Sequence, residues 1–152
     1  MIRIINLFFI IFFLLSAKAY SLIEIDITRG NLDPLPIAVS PLFQDDNSKR
    51  NSINELKIEN VGSEISLVVE NNLKISGLFN PLSKEAFLQK PDIAHLKPRF
   101  EDWALIKAQA LITGKVTIED KKLKVEFRLW DILAGREMMA LAFTTVPSNW
   151  RR

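Results

Sequence analysis

One stretch, Leu123 to Asp131, constrains the fold of this 152-residue sequence more than any other. Its letters, LKVEFRLWD, alternate apolar and polar side chains, which is typical of a strand with one face on a core. Leu111–Ile118 before it and Glu137–Val146 after it are further apolar runs, joined to it by short connections. The three runs predict an antiparallel meander with Leu123–Asp131 as its central strand.

The Glu137–Val146 strand is apolar on both faces. Met139, Leu141 and Phe143 share one face, and Met138, Ala140 and Ala142 share the other. Because small side chains let a helix lie close to a sheet, we expect a helix over the Met138 face. Ser148-Asn149 is typical of a helix start, so we expect the covering helix to follow Arg152. Without that helix, the uncovered face favours association or aggregation.

Two helices are predicted before the meander. The first is Ser63–Ser76, ended by Gly77. Its predicted core face comprises Ile65, Val68, Val69, Asn72, Leu73 and Ser76. The second is Phe100–Gln109, which follows Pro98 and carries acidic residues in its first turn. Phe100, Trp103, Ala104 and Ala108 share its predicted core face.

The segments around these helices have weaker patterns. Gln44–Asn51 is polar, which predicts an exposed loop. Ser52–Glu55 has capping-box spacing, which favours a helix, whereas Lys57–Val61 fits an extended chain equally well. The sequence therefore does not decide the structure of residues 44–61. Asn80–Pro98 contains three prolines and predicts a surface connection with a short turn at 84–88.

Two short strands complete the prediction. Ile37–Val39 is a buried strand between prolines, and Tyr20–Thr28 is an edge strand or an extended arm. The fold class is therefore α/β (α+β), with a single-layer mixed β-sheet and helices packed on it.

The first 19 residues have the pattern of a secretory signal peptide. Arg3 precedes an apolar run, and Ala17-Lys18-Ala19 supplies a small-residue cleavage site. We expect cleavage before Tyr20, with an uncleaved membrane anchor as the alternative. The run is short for a membrane span. The remaining residues, 20–152, fit one domain.

Charge and cysteine content exclude several classes of protein. Removing Arg3 and Lys18 from the 20 basic residues leaves 18, which equals the 18 acidic residues. A neutral mature chain lacks the positive charge of a nucleic-acid-binding protein. The sequence contains no cysteine, which excludes disulfides and thiolate metal sites.

Catalytic patterns are missing from the sequence. His95 is the single histidine, and the five glycines are scattered rather than gathered into a phosphate-binding loop. No serine lies in a G-x-S-x-G motif. The three tryptophans sit within apolar patterns and are expected in the core or an interface. We expect no enzyme activity, no cofactor and no metal.

Six segments in order resemble the N-terminal domain of the Tol-Pal system protein TolB family. They are IEIDITRG (23–30), PLPIAV (34–39), SGLFNPL (76–82), the W-x-x-I-x-A-x-A-L-I-x-G-x-V pattern (103–116), FRLWD (127–131) and NWRR (149–152). The resemblance covers nearly the whole mature chain. It implies a mixed sheet with helices, similar to the anticodon-binding domains of some aminoacyl-tRNA synthetases.

The resemblance also implies a function. Members of the family are periplasmic, non-enzymatic adaptors, peripheral to membranes, that support outer-membrane integrity and cell division. Their mature N-terminal segment binds the inner-membrane protein TolA, and a following β-propeller binds the lipoprotein Pal. In this chain that segment comprises Tyr20, Ser21, Leu22, Ile23, Glu24, Ile25, Asp26, Ile27, Thr28, Arg29, Gly30, Asn31, Leu32 and Asp33. The family continues after NWRR into a long helix and the propeller, so a Pal-like partner is expected only where a propeller is present.

Two interpretations of this segment stay open. Ile23, Ile25 and Ile27 alternate with polar residues, as in a strand added to the sheet of a partner. The same pattern fits the first strand of the domain's own sheet. At the level of the whole chain, the alternative is a free-standing secreted interaction module with a different envelope partner. The DNA beyond codon 152 distinguishes the two, because a TolB-type protein continues there into repeated blade-like strands.

Overall fold

A mixed β-sheet positions every other element. This computed structural model describes residues 33–151, and six strands in that range form one sheet. The strands are β1 (Leu35–Val39), β2 (Phe43–Gln44), β3 (Phe79–Pro81), β4 (Ala110–Glu119), β5 (Lys122–Asp131) and β6 (Arg136–Thr145). The helices are α1 (Asp46–Leu56), α2 (Val61–Ile75), α3 (Pro91–Ala94) and α4 (Phe100–Leu105). The predicted fold class is confirmed.

The strand order is β3-β1-β4-β5-β6, with β2 also paired to β4. β1 runs parallel to β3 and β4, whereas β4, β5 and β6 form the predicted antiparallel meander. β5 is the central strand of that meander, as predicted for Leu123–Asp131, and β1 and β3 extend the sheet on the other side of β4. Asp120 and Lys121 join β4 to β5 with φ angles of 49° and 59°, which two-residue hairpin turns require.

Helices cover both faces of the sheet, over two separate cores. On one face, Trp103 of α4 and Ala94 of α3 pack with Leu111 and Trp130. On the other face, Val61 and Ile65 of α2 pack in the core that the following residues complete: Leu42, Val116, Ile118, Leu123 and Val125. The two cores alternate along β4 and β5 with the period of a strand.

The α2 helix confirms the first predicted helix. Asn60 caps it by accepting a hydrogen bond from the Ser63 N–H at 3.0 Å, and Gly77 follows its end with φ +71°. The predicted core face is correct for Ile65, but Val68, Asn72 and Ser76 are exposed. Only the first two turns of α2 are buried, because its second half borders an open groove that Val69 lines.

Close contact fixes the start of α2 against the corner between β1 and β2. A Cβ atom on Gly62 would lie 2.4 Å from the Leu42 carbonyl oxygen, a separation that side chains do not tolerate. The Ser66 hydroxyl accepts a hydrogen bond from the Leu42 N–H at 2.9 Å. The same hydroxyl lies 3.1 Å from the Ser40 carbonyl oxygen, to which it can donate. Small residues at these positions allow the helix to approach the backbone of the sheet.

Residues 44–51 are not the predicted exposed loop. Gln44 belongs to β2, and Asp46–Leu56 forms α1, whose Asp45 cap accepts a hydrogen bond from the Ser48 N–H at 2.8 Å. Ser48 and Ser52 are fully buried, because their small hydroxyls find backbone partners. A polar composition therefore concealed a helix that docks through serines rather than through large apolar side chains.

Two further expectations need correction. The second helix ends at Leu105 instead of Gln109, because Lys107 adopts a left-handed φ of 62° and the Gln109 N–H donates to the Pro36 carbonyl. Within that helix Ala104 is exposed, although Trp103 is buried as predicted.

The predicted connection at 80–98 contains more structure than its prolines suggest. Residues 79–81 form β3, which pairs in parallel with β1, and Pro91–Ala94 forms α3. A 3-10 turn at Lys84–Ala86 matches the predicted turn.

The chain reaches the end of the described range beside the second core. Pro147–Asn149 is a 3-10 turn rather than the start of an α-helix, and the partly buried Trp150 packs against that core. Between residues 33 and 151, no helix is long and apolar enough to cross a membrane.

Candidate partner-binding surfaces

The predicted TolA-binding segment lies almost wholly outside the described residues. Of residues 20–33 only Asp33 is described, and it is exposed, as is Pro34. Leu35 is the first sheet residue, and its N–H donates to the Leu78 carbonyl at 2.9 Å. The predicted signal peptide at 1–19 is also outside the described range. The chain therefore enters the sheet at the start of β1, which lies between β3 and β4. Both interpretations of residues 20–33 stay predictions.

An apolar surface covers one face of the β5–β6 hairpin. Register pairs Phe127 with Leu141 and Leu129 with Met139. Together with Val69 and Ile112 they line an open groove of about 250 Å³. Met139, Leu141 and Phe143 are 51%, 48% and 56% exposed. Large apolar side chains exposed side by side on this scale are typical of an interaction surface.

The opposite face of the same hairpin is charged. Lys124, Glu126 and Arg128 of β5 lie opposite Thr144, Ala142 and Ala140 of β6. Lys124 and Glu126 form an ion pair at 2.9 Å, and Arg128 and Glu137 form another at 3.2 Å. The face of Met138, Ala140 and Ala142 is thus bordered by charges, and the helix expected over it would follow Arg152, outside the described residues, so that expectation stays a prediction. Those small residues adjoin exposed charges, and the apolar surface in need of a partner lies on the other face.

A third site combines an ion pair with the cap of α1. Lys115 of β4 lies 3.6 Å from Asp45. The Ser48 N–H, which donates to this carboxylate, holds the pKa of Asp45 below its ordinary value of 3.8, and the Lys115 charge lowers the pKa further. This charged contact links α1 to the middle of the sheet.

The single histidine and two of the tryptophans make structural contacts. The His95 ring stacks on Phe43 with centroids 4.3 Å apart, and its Nδ1 lies 3.0 Å from the Pro91 carbonyl oxygen. Trp103 and Trp130 are buried, as predicted. Within residues 33–151 no three His, Cys, Asp or Glu side chains are grouped to hold a metal ion.

Sequence reasoning missed two buried polar residues near the first core. Gln89 accepts hydrogen bonds from the Trp103 Nε1–H at 2.9 Å and from the Arg99 N–H at 3.0 Å. Asp131 is fully buried and accepts from the Ala134 N–H at 2.9 Å. Gln89 thus ties its loop to α4, and Asp131 holds the turn between β5 and β6. Gln89 carried no signal in the sequence because it lies in a proline-rich connection.

Comparison with known families assigns the chain. The model of the TolB amino-terminal domain matches residues 23–138, most of the chain. The chain belongs to the TolB amino-terminal domain family. Over 144 residues it is 73% identical to the Tol-Pal system protein TolB of Pelagibacter ubique (strain HTCC1062), an alignment that covers 95% of this chain. It spans only 32% of the length of that TolB protein.

Solved structures agree on the fold. The crystal structure of TolB from Acinetobacter baumannii matches with a TM-score of 0.55 at 17% identity, over 78% of this chain and 25% of that one. The C-terminal domain of LpoB from Escherichia coli matches with a TM-score of 0.53 at 10% identity, over 77% and 86% of the two chains. At such low identity these likenesses concern only the arrangement of strands and helices. The TolB amino-terminal fold thus occurs in proteins with other names.

Proposed function

We propose that this chain is a periplasmic, non-enzymatic adaptor of the Tol-Pal envelope complex whose residues 20–33 bind a TolA-like inner-membrane protein. In this role it supports outer-membrane integrity and cell division. Family membership is the observation that carries the proposal, because a relative named Tol-Pal system protein TolB shares 73% of its residues over 95% of this chain. The family match begins at Ile23, inside the proposed binding segment.

Secretion would create the binding segment. Residues 1–19 are proposed to direct export and to be removed between Ala19 and Tyr20, which leaves the segment as a free N-terminus. A free end can pair with a partner without opening the fold behind it. Mass spectrometry of the periplasmic protein is expected to find Tyr20 as the first residue, whereas a membrane-bound chain that begins at Met1 would contradict the proposed export.

The segment has the chemistry of an added strand. Its backbone would form hydrogen bonds with an exposed sheet edge of the partner, while Ile23, Ile25 and Ile27 fill apolar sites on one face. Gly30 and Pro34 separate these isoleucines from β1. The exposure of Asp33 and Pro34 supports this arrangement, since the body of the domain does not enclose the base of the segment.

Calorimetry against the C-terminal domain of TolA tests the proposal. We expect binding by the mature chain, and no detectable binding after deletion of residues 20–33. Ile25→Asp should also abolish binding, because it places a charge on the apolar face of the strand. Leu133→Asp is the matched control: Leu133 is 69% exposed in the turn between β5 and β6, so the same change there should leave affinity unaltered.

Undiminished binding after the deletion would show that TolA contacts another surface. Absence of binding by the intact mature chain would favour a different envelope partner. A Pal-like lipoprotein is proposed as a partner only where a β-propeller is present; the six strands described between residues 33 and 151 form one sheet.

A further inference from the structure

The outer edge of β6 has the features of a strand that pairs with another strand. Within the described part of the chain, β6 forms hydrogen-bonded pairs with β5 alone. It is ten residues long and exposed over almost its whole length. Exposed edges are ordinarily protected by lysine, by proline or by a short strand, yet residues 138–145 carry no charged side chain and no proline. This edge is therefore open to another strand.

We propose that β6 pairs with β6 of a second copy of this chain, antiparallel and about a two-fold axis that passes through Leu141. Such a contact is isologous, so each residue at position i meets the residue at position 282 − i of the other copy. In this register Leu141 faces its own counterpart. Ala140 faces Ala142 of the second copy, and Met139 faces Phe143.

The charges on β5 select this register. On the charged face of the sheet, Arg128 lies beside Ala140, and Glu126 lies beside Ala142. Each such line of neighbouring side chains across the strands is called a row. With the axis at Leu141, each row reads Arg128, Ala140, then Ala142 and Glu126 of the second copy, so opposite charges occupy its two ends. An axis at Ala140 would place two Arg128 side chains in one row, and an axis at Ala142 would place two Glu126 side chains there.

The geometry of the row allows the two charges to meet. Four neighbouring strands span three spacings, about 14 Å between the Cα atoms of Arg128 and Glu126. The two intervening alanines leave open space above the sheet, within the combined reach of extended arginine and glutamate side chains. Arg128 and Glu126 are 46% and 40% exposed. Arg128 has five N–H donors, so it can keep its ion pair with Glu137.

The apolar face gains from the same pairing. Leu141 meets Leu141, and Met139 meets Phe143 of the second copy, so the side chains that are about half exposed in one chain cover each other. Cross-strand apolar pairs of this kind stabilise a sheet. The axis at Leu141 also pairs residues 138–144 of each strand, up to the register shift between Met139 and Glu137.

Engineered cysteines test the register, because the natural sequence has none. Directly opposite residues of antiparallel strands have Cα atoms about 4.5–5.5 Å apart, within the range of about 4.4–6.8 Å for disulfides. Leu141→Cys should therefore form a disulfide-linked dimer upon oxidation. Met139→Cys alone and Phe143→Cys alone should stay unlinked, since each would lie about 14 Å from its counterpart. A mixture of these two variants should be linked.

Charge reversal tests the proposed rows. Light scattering of the protein purified from the periplasm should give twice the mass of one chain. Arg128→Glu places two acidic residues in every row, and Glu126→Arg places two basic residues there, so each variant alone should have the mass of one chain. Mixing the two variants places opposite charges in both rows and should restore the doubled mass. This restoration also shows that both variants are folded.

Several outcomes would overturn the proposal. They include the mass of a single chain for the natural protein up to its highest soluble concentration, a doubled mass that persists in Arg128→Glu alone, and cross-linking of Met139→Cys alone. Mixed variants that stay single chains would also contradict it. If residues 20–33 or another protein occupy the edge instead, Leu141→Cys will not cross-link to itself.

Discussion

At the scale of single residues, Asp45 connects a helix cap to the charge of the sheet. The Ser48 N–H holds its pKa below 3.8, and Lys115 contributes in the same direction. A group whose pKa is lower in the folded chain stabilises the fold above its unfolded pKa, and this stabilisation is lost as pH falls through the folded value. The ionised carboxylate of Asp45 should thus stabilise the protein at neutral pH and not in strong acid.

The corresponding experiment compares the natural protein with Asp45→Asn. Asparagine also caps helices, so the variant keeps the hydrogen bond and loses the charge. We expect the natural protein to have the higher free energy of unfolding at pH 6–7, with a difference that shrinks as pH falls below 3.8. Asp46→Asn, which removes a neighbouring and more exposed carboxylate, controls for net charge. A difference that does not change with pH would contradict the assigned role.

The sequence was least informative about which small polar residues are buried. Ser48, Ser52 and Ser66 are buried because backbone groups form hydrogen bonds with their hydroxyls. Those partners lie up to 70 positions away along the chain, as Ile118 does from Ser48. A local pattern holds no information about such contacts. Trp103 and Trp130, by contrast, were placed in the core from their apolar surroundings alone.

At the scale of elements, α1 docks on β4 through hydrogen bonds. The Ile118 N–H donates to the Ser48 hydroxyl at 3.1 Å, and the Asn51 side chain donates to the Ile118 carbonyl at 2.6 Å. Ser48→Ala would leave the buried Ile118 N–H without a partner, which costs about 1–3 kcal/mol.

Thermal or urea unfolding can measure that loss. Ser63→Ala is the matched control, because Ser63 lies in the first turn of α2, is not fully buried and has its backbone N–H rather than its hydroxyl bonded to Asn60. We expect the control to stay within about 0.5 kcal/mol of the natural protein. Equal stability of Ser48→Ala and the natural protein would mean that α1 contributes little to the fold.

Elements with a strong period were predictable, and those defined by distant partners were not. The meander and α2 follow from alternation and from a helical period ended by glycine. The strands β2 and β3 are two and three residues long, too short for any period, and exist because β4 and β1 offer free edges. The character of the Ala140 face was not predictable from β6 alone, because its neighbours in β5, Glu126 and Arg128, make it the polar face.

At the scale of the whole molecule, two surfaces are proposed to serve two kinds of contact. The free N-terminal segment is proposed to bind a TolA-like protein, and the β6 edge is proposed to pair with a second copy. The sequence supplied the first through its resemblance to TolB. The second required the register of β5 and β6, which only the structure provides.

Hydrogen–deuterium exchange of the mature chain, with and without the C-terminal domain of TolA, shows whether residues 20–33 form the contact. We predict that the partner slows exchange of backbone amides in residues 20–33, because main-chain hydrogen bonds form there on binding. Amides of β6 should exchange at the same rate with and without it. Slowed exchange confined to residues 34–151, with the segment unchanged, would contradict the claim that residues 20–33 bind TolA.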